Sequence, residues 1–243
     1  MFTLISTMMS LNVIAATSGE TFKPITIRYR QRAPYIVKKW GELSGPCGEA
    51  VIKAFKKAKI DFHTAETPFL RQMAQFLSNG EPICSIGWLK TAKREEFLKF
   101  SGPICEDGPW VVVGHKGTIS PSVSSVLTLL KNPELKIARR THFSFGEDLD
   151  GLIEKNSTPI INIDNPEYKQ VLDMILAGRA DYTLLSEREF LDLTEKHNFH
   201  IKDFTVLKPD DLKGPHLRYM VCTRGVPDAV IKKFNKAVSS INQ

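Results

Sequence analysis

A helix followed by a strand occurs twice in this chain, about a hundred residues apart, and this repeat limits the possible fold more than any other feature. Each copy begins with a helix-capping residue and a proline, continues with apolar residues on one helix face, and ends at a glycine before the strand. The caps are Thr67-Pro68 and Asn165-Pro166, and the helices end at Gly80 and Gly178. The strands that follow are 82–86 and 180–185. The apolar helix faces are Leu70, Met73, Ala74 and Leu77 in the first copy and Tyr168, Val171, Leu172 and Ile175 in the second. Two matching units in separate halves predict two α/β lobes.

The other periodic segments extend this alternation of strands and helices over the whole chain. The predicted strands are 25–29, 60–63, 110–113, 135–138 and 219–222, and further helices begin at Pro46 and Asp228. Such alternation is typical of mainly parallel sheets that are covered by helices. We expect residues 22–112 and 211–243 to form the first lobe and residues 113–210 the second. The chain then passes twice between the lobes, which predicts a hinge.

Composition indicates a folded protein with a mild preference for anions. Of the 243 residues, 42% are hydrophobic, which is enough for real cores, and the formal charge is +6. Lysines are dispersed along helix faces, as in 53–59, and no basic block alternates with aromatic residues, so we expect no nucleic-acid partner. The sequence contains no metal-ligand spacing and no phosphate-cradling glycine loop, so we expect neither a metal nor a cofactor.

The amino-terminal segment and the cysteines indicate export. Residues 1–16 carry no charged side chain and include the apolar stretch 11–16, which predicts a secretory signal that is cleaved near Ala15 or Ala16. An uncleaved tail is the alternative interpretation. Cys47, Cys84, Cys105 and Cys222 are an even number, so up to two disulfides are expected, and all three pairings remain open.

Arg94 is the first candidate for a ligand-binding residue. An apolar strand at 83–87 precedes Thr91, a good helix N-cap, and helix-forming residues begin at Ala92. Arg94 is therefore predicted in the first turn of a helix. The partial positive charge of a helix start disfavours a cation, so an arginine there suits a site that receives an anion such as a small carboxylate. The alternative is a solvated Arg94 that neighbouring acidic residues balance.

Five short motifs, in this order, resemble the family 3 solute-binding proteins, which are the extracytoplasmic receptors of polar amino acid ABC transporters. The motifs are Arg32-Ala33-Pro34-Tyr35, Gly41-Glu42-Leu43-Ser44-Gly45, Thr91-Ala92-Lys93-Arg94-Glu95, Phe100-Ser101-Gly102-Pro103 and Leu176-Ala177-Gly178-Arg179-Ala180-Asp181. The resemblance implies a type II periplasmic binding fold, which is a clamp of two α/β lobes joined by a two-strand hinge. It also implies a monomeric periplasmic protein that captures a small solute without catalysis and presents it to an ABC transporter permease or to a membrane sensor.

The same resemblance assigns candidate ligand-binding residues. In the family, the arginine that matches Arg94 forms a bidentate pair with the ligand α-carboxylate. The other candidates are the loop aromatics Tyr35 and Trp88, Thr91 beside the arginine, the backbone N–H groups of Ser144, Phe145 and Gly146 at a helix start, and Ser186 or Glu187 at the end of the second-lobe strand. Ser144 and Glu147 also have capping-box spacing, so a self-capped helix is the alternative for that loop.

Two positions depart from the family pattern and bear on the ligand. Leu89 stands where a serine or threonine usually faces the carboxylate, and Ser186 stands where an aspartate usually pairs with the ligand ammonium. Glu187 restores that charge only with an offset of one residue; otherwise the ligand lacks an ammonium group. Two other functions remain open: an enzyme on the same fold, similar to a dehydratase, with Glu187, Glu189 or Asp181 as acid or base, and a ligand-sensing module for a membrane receptor.

Overall fold

The computed structural model describes residues 22–78, 81–164, 167–212 and 216–241. The predicted leader at 1–16, the Asn165-Pro166 cap and Gly80 lie outside these ranges. The described strands are β1 (Ile25–Tyr29), β2 (Val37–Lys39), β3 (Glu42–Ser44), β4 (Phe62–Glu66), β5 (Ile83–Trp88), β6 (Lys99–Asp107), β7 (Trp110–His115), β8 (Ile137–Arg140), β9 (Ile160–Ile163), β10 (Tyr182–Ser186), β11 (Phe204–Leu207) and β12 (His216–Cys222). The helices are α1 (Pro46–Ala58), α2 (Phe69–Ser78), α3 (Ala92–Glu95), α4 (Val126–Leu130), α5 (Glu147–Lys155), α6 (Tyr168–Leu176), α7 (Glu187–His197) and α8 (Asp228–Ser239). Within these ranges, every helix is too short or too polar to cross a lipid bilayer.

Two five-stranded sheets form the centres of two lobes. The first sheet has the order β4-β1-β5-β12-β6, and the second has the order β11-β7-β10-β8-β9. In the first sheet β1 runs parallel to β4 and β5, whereas β12 runs antiparallel to both of its neighbours. In the second sheet β8 runs parallel to β9 and β10, whereas β7 runs antiparallel to its neighbours. The fold is therefore the expected two-lobed α/β clamp, with each sheet more mixed than the mainly parallel pattern predicted.

Each sheet is buried on both faces. In the first lobe, α1 and α8 pack against each other and over one face, and α2 covers the other face. In the second lobe, α4 and α5 share one apolar core with the sheet, and α6 and α7 share the other. The helix predicted to begin at Pro46 is confirmed as α1, and its apolar residues Val51, Ala54 and Phe55 are all buried. Burial of both faces explains continuous apolar strands such as β7.

The chain passes between the sheets at two places. One passage joins β6 to β7 and the other joins β11 to β12. The predicted lobe boundary after residue 112 falls inside β7, which pairs with the second sheet along its whole length. Gly108 and Pro109 therefore form the first connection between the lobes.

The buried face of α2 differs from the prediction. Leu70 and Leu77 are exposed, and the buried side chains are instead Phe69, Gln72 and Phe76. The helix turns its two phenylalanines inward, because burial of a large aromatic ring contributes more than burial of a leucine. Both rings lie 5.4 Å from the ring of Trp88. In the helix of the first copy, the buried face is thus displaced by one residue from the predicted positions. In the helix of the second copy, Val171, Leu172 and Ile175 are buried as predicted.

The cysteines form two disulfides, both in the first lobe. Cys47 of α1 is bonded to Cys105 of β6, and Cys84 of β5 is bonded to Cys222 of β12. These bonds select one of the three pairings that the sequence left open. The second bond joins neighbouring strands that lie 138 residues apart in the chain, and one of them is the strand that returns from the second lobe.

Candidate functional site

A cavity of about 50 Å³ lies between the lobes. The ends of β1 and β5 form one side of it, and the loop after β8 forms the other. The residues that line it are Arg30, Arg32, Ile36, Phe69, Gln72, Ile86, Gly87, Trp88, Leu89, Arg94, Phe143, Ser144 and Arg218. Four of these side chains are guanidinium groups and none is a carboxylate. The cavity is therefore a cationic space with aromatic walls, and the structure places Arg94, the first candidate from the sequence, among its lining residues.

Arg94 is held in place by its own segment. Its Nη1 atom donates a hydrogen bond of 2.8 Å to the Leu89 carbonyl, and its guanidinium lies 5.0 Å from the centre of the Trp88 ring. Burial, followed by repulsion from Arg218, lowers the pKa of Arg94 to about 10. Glu95 does not balance Arg94, because its carboxylate pairs with Lys90 at 2.7 Å. Among the described residues, no carboxylate forms an ion pair with Arg94.

The helix around Arg94 is shorter than the sequence argument assumed. Thr91 is the N-cap, as predicted, and its side chain accepts a hydrogen bond from the Arg94 backbone N–H. However, α3 spans only four residues, so its dipole has little to offer an anion. The Ala92 N–H at its start donates to the Glu147 carboxylate of the second lobe at 3.1 Å. The cationic group that this segment presents to the cavity is therefore the Arg94 side chain.

The two candidate aromatic residues occupy different places. Trp88 lines the cavity and packs against Phe69, and its indole N–H donates to Ser85 Oγ at 2.8 Å. Tyr35 is fully buried behind the cavity. Its hydroxyl accepts a hydrogen bond from the Gly108 N–H at 2.7 Å and donates to Ser186 Oγ at 3.2 Å. Tyr35 thus joins the first lobe to the connection between the lobes and to the second lobe.

The capping box of Ser144 and Glu147, which was the alternative interpretation of the loop before α5, does not form. Gly146 is the N-cap, with a φ of 103° that favours glycine, and Glu147 turns away toward Ala92. Ser144 lines the cavity, but its hydroxyl donates to the Asp150 carboxylate and accepts from the Gly146 N–H at 2.9 Å. The Phe145 N–H donates to Asp150 Oδ1 at 2.9 Å. Two of the backbone donors that the resemblance assigns to the ligand are therefore used within this loop.

Ser186 and Glu187 do not line the cavity. Ser186 is buried as the N-cap of α7, and its hydroxyl donates to the Glu189 carboxylate at 3.2 Å and accepts from the Glu189 N–H. Glu187 pairs with Lys208 at 2.7 Å. The position that usually pairs with a ligand ammonium thus holds a hydroxyl that has other partners, and the neighbouring carboxylate is engaged elsewhere.

A buried ion network at the lobe junction was missed by the sequence analysis. Arg32 donates to Asp107 Oδ1 at 2.7 Å and to Glu189 Oε2 of the second lobe at 2.6 Å. Arg218 donates from Nε to Asp107 Oδ2 at 2.9 Å. Burial opposes ionisation of Asp107, but the Arg32 and Arg218 charges outweigh it and hold the pKa of Asp107 well below its usual range. This network links the segment after β1, the end of β6, β12 and α7 at the place where the lobes meet.

Two further arginines, the partly buried Arg30 and the buried Arg140, have no carboxylate ion pair in the part of the chain that the structure describes. Their guanidinium carbons lie 4.6 and 3.5 Å from the centre of the Phe143 ring, and Arg140 also lies 3.7 Å from the centre of the Tyr168 ring. Burial, followed by repulsion from Arg140, lowers the pKa of Arg30 to about 9. Arginine at every second position from 28 to 32, at the carboxyl end of a central strand, is the sequence signal that indicates this site.

The two lobes touch across the cavity. The Phe69 ring of the first lobe lies 4.7 Å from the Phe143 ring of the second, between ring centres. The hydrogen bond from the Ala92 N–H to the Glu147 carboxylate also joins the two lobes. The structure is therefore that of a closed clamp.

Comparisons with known proteins agree with this architecture. The chain matches no protein-family model and no curated protein. Among solved structures, it is similar to the arginine-, lysine- and histidine-binding protein ArtJ from Geobacillus stearothermophilus, with a TM-score of 0.69, 16% identity and coverage of 90% of each chain. It is also similar to an ancestral arginine-binding protein bound to arginine, with a TM-score of 0.68, 15% identity and coverage of 90% of this chain and 93% of the other.

A third similar structure concerns glutathione import via GshT and the cystine ABC importer TcyBC of Streptococcus mutans, with a TM-score of 0.68, 15% identity and coverage of 90% of this chain and 89% of the other. At these identities the likeness establishes the fold: this chain has the two-lobed architecture of the substrate-binding proteins of amino acid ABC transporters. These structural neighbours are described by name as binding proteins.

Proposed function

We propose that this protein captures a small carboxylate-bearing solute between its two lobes and delivers it to an ABC transporter. The observation that carries the proposal is the position of Arg94, whose guanidinium lines a cavity between the lobes without a carboxylate partner among the described residues. A partly buried cation without an ion pair is costly, and a carboxylate that enters the cavity offsets this cost with charge-assisted hydrogen bonds. Arginine also suits a bidentate pair with a carboxylate, which lysine cannot form.

Closure around the solute follows from the contacts across the cavity. A ligand stabilises the closed clamp only to the extent that it binds the closed form better than the open form. A solute that touches Arg94 and the Phe143 loop at once meets this condition, because it holds both lobes. The Phe69–Phe143 ring contact then adds closure energy that the open clamp lacks.

Binding without catalysis is the function that the cavity chemistry favours. The carboxylates proposed as catalytic acids or bases on this fold all have other partners: Glu187 pairs with Lys208, Glu189 pairs with Arg32, and Asp181 accepts a hydrogen bond from the Lys136 N–H at 2.6 Å. No described residue that lines the cavity carries an acidic side chain. Proton transfer to or from a bound solute therefore lacks a candidate group at the site.

The proposed location is the periplasm, with a transporter permease or a membrane sensor as the partner. Two disulfides form among the described residues, and such bonds persist in oxidising compartments. The uncharged, apolar segment at 1–16 supports export in the same direction. Two proteins of similar structure are described by name as substrate-binding proteins of amino acid ABC transporters, which favours transport as the role.

Isothermal titration calorimetry with an Arg94→Gln variant tests the proposal. The probes are succinate, L-glutamate, L-glutamine and L-arginine. For whichever probe binds the unchanged protein, we expect Arg94→Gln to weaken binding about 30-fold or more, as expected when one member of a buried charge pair is removed. Arg71→Gln is the matched control, because Arg71 is exposed on α2 and the substitution changes the net charge equally.

Circular dichroism of both variants verifies that the fold is intact. Equal affinity of the Arg94→Gln variant and the unchanged protein would show that Arg94 does not hold the solute. Absence of binding for all four probes would also contradict the proposal.

A further inference from the structure

The charges around the cavity do not balance. Arg32 and Arg218 carry two positive charges, and Asp107 and Glu189, which are bonded to them, carry two negative charges, so this network is neutral as a unit. Arg30 and Arg94 line the same cavity, and neither has a carboxylate ion pair within the described ranges. Two partly buried positive charges at one small space are therefore left without an ion pair, and Asp150 and Glu167 act on them only as more distant charges.

Both arginines face the cavity from an apolar setting. The Arg30 guanidinium rests on the Phe143 ring at 4.6 Å, and the Arg94 guanidinium rests on the Trp88 ring at 5.0 Å. Burial lowers the pKa of each group, to about 9 for Arg30 and about 10 for Arg94. Each charge is thus destabilised where it lies, and each is stabilised if an anion enters.

An ordinary α-amino acid fits this cavity poorly. Its ammonium group needs a carboxylate or several free acceptors, and the described lining offers no carboxylate. Glu189 is committed to Arg32, Glu187 to Lys208, and the Ser186 hydroxyl to Glu189. An ammonium placed here would instead meet unpaired guanidinium charge, which costs free energy at short range in a poorly hydrated space.

We infer that the solute is a small dicarboxylate without an ammonium group, bound with one carboxylate on Arg94 and the other on Arg30. This inference rests on the proposed function and names the class of its ligand. The aromatic walls of Phe69, Trp88 and Phe143 favour a short carbon linker between the two charges over a compact inorganic dianion, because apolar surface gains from contact with apolar atoms. The small volume of the closed cavity limits the linker to a few atoms.

Calorimetry with matched ligands tests the inference. Malonate, succinate and glutarate supply two carboxylates at increasing separation, succinamate replaces one carboxylate of succinate by an amide of nearly the same shape, and phosphate is the inorganic dianion. We expect the best dicarboxylate to bind the unchanged protein about 30-fold or more tightly than succinamate, because the amide leaves one arginine unpaired. Arg30→Gln removes this preference, so that the two ligands bind alike, whereas the Arg71→Gln control retains it.

The outcomes separate this inference from the proposed function. If L-glutamine or L-arginine binds more tightly than every dicarboxylate and Arg94→Gln abolishes that binding, the proposed function stands and the dicarboxylate inference is wrong. Binding of phosphate alone also overturns it, as does a full preference for the dicarboxylate in the Arg30→Gln variant. Near-ultraviolet circular dichroism shows whether each variant keeps its native packing, and Arg30→Lys, which retains the charge, restores part of the preference.

Discussion

Replacement of Asp107 by asparagine removes the charge at the centre of the buried ion network and leaves the shape of this side chain almost unchanged. The Asp107 side chain is fully buried and bonded to both Arg32 and Arg218. Asparagine cannot neutralise either guanidinium, and Glu189 alone remains to balance two buried cations. The variant therefore tests whether this junction depends on charge and not only on packing.

The expected loss is large for a single substitution. Breaking a buried ion pair by removing one partner costs roughly 3–5 kcal/mol, because the charge that remains is buried without compensation. For a chain of this size a loss of 1 kcal/mol lowers the melting temperature by about 2–4 °C, so we expect a decrease of roughly 6–20 °C.

Urea unfolding, followed by tryptophan fluorescence, measures the free energy of unfolding directly. Asp173→Asn is the matched control, since Asp173 forms a surface pair with Lys169 at 2.7 Å and such pairs contribute about 0–1 kcal/mol. The pH dependence supplies a second readout. The pKa of Asp107 is depressed in the folded state, so its contribution is complete above the unfolded-state value of about 4 and is lost as the pH falls below it. A loss no greater than that of the control, or a difference that does not shrink in acid, would refute the reasoning.

Two other predictions concern the disulfides and the contact across the cavity. Replacement of Cys84 and Cys222 by alanine opens a link between residues 138 apart and lowers the free energy of unfolding by about 2–5 kcal/mol, which urea unfolding without reductant measures. An unchanged midpoint would show that the link adds no stability. Phe143→Ala removes the ring contact with Phe69 and weakens solute binding about 2- to 12-fold, corresponding to the 0.5–1.5 kcal/mol of an aromatic pair. Calorimetry checks this value, and equal affinity would exclude a role in closure.

Helix capping and apolar periodicity, which depend on residues close together in the chain, correctly predicted part of the secondary structure. The start of α1 at Pro46 and the burial of Val51 follow from a proline at the first helical position and a one-faced apolar stripe. The same rules predicted the wrong buried face for α2. The face that is buried depends on the packing of Phe69 and Phe76 against Trp88 of β5, which is a contact between separate elements. Gln72 is tolerated inside because its amide donates to the Thr67 carbonyl at 2.7 Å and accepts from Ser85 Oγ at 2.5 Å.

The site was predictable only in part for the same reason. Arg94 stands in a local motif, which correctly predicted its position in the first turn after the Thr91 cap, and the structure places its side chain at the cavity. The partners of Arg32 lie 75 and 157 residues away in the chain, so no local pattern joins them. Likewise, the spacing of Ser144 and Glu147 was compatible with a capping box. In the folded chain, however, the Ser144 hydroxyl donates to the Asp150 carboxylate, and the Glu147 carboxylate accepts from the Ala92 N–H.

Native mass spectrometry of protein purified without denaturation tests the central claim most directly. We expect the unchanged protein to carry a small acid of one defined mass, and we expect this mass to be absent from an Arg94→Gln variant prepared in the same way but present on Arg71→Gln. A bound species of the same mass and occupancy on the Arg94→Gln variant would contradict capture of the solute by this guanidinium between the lobes.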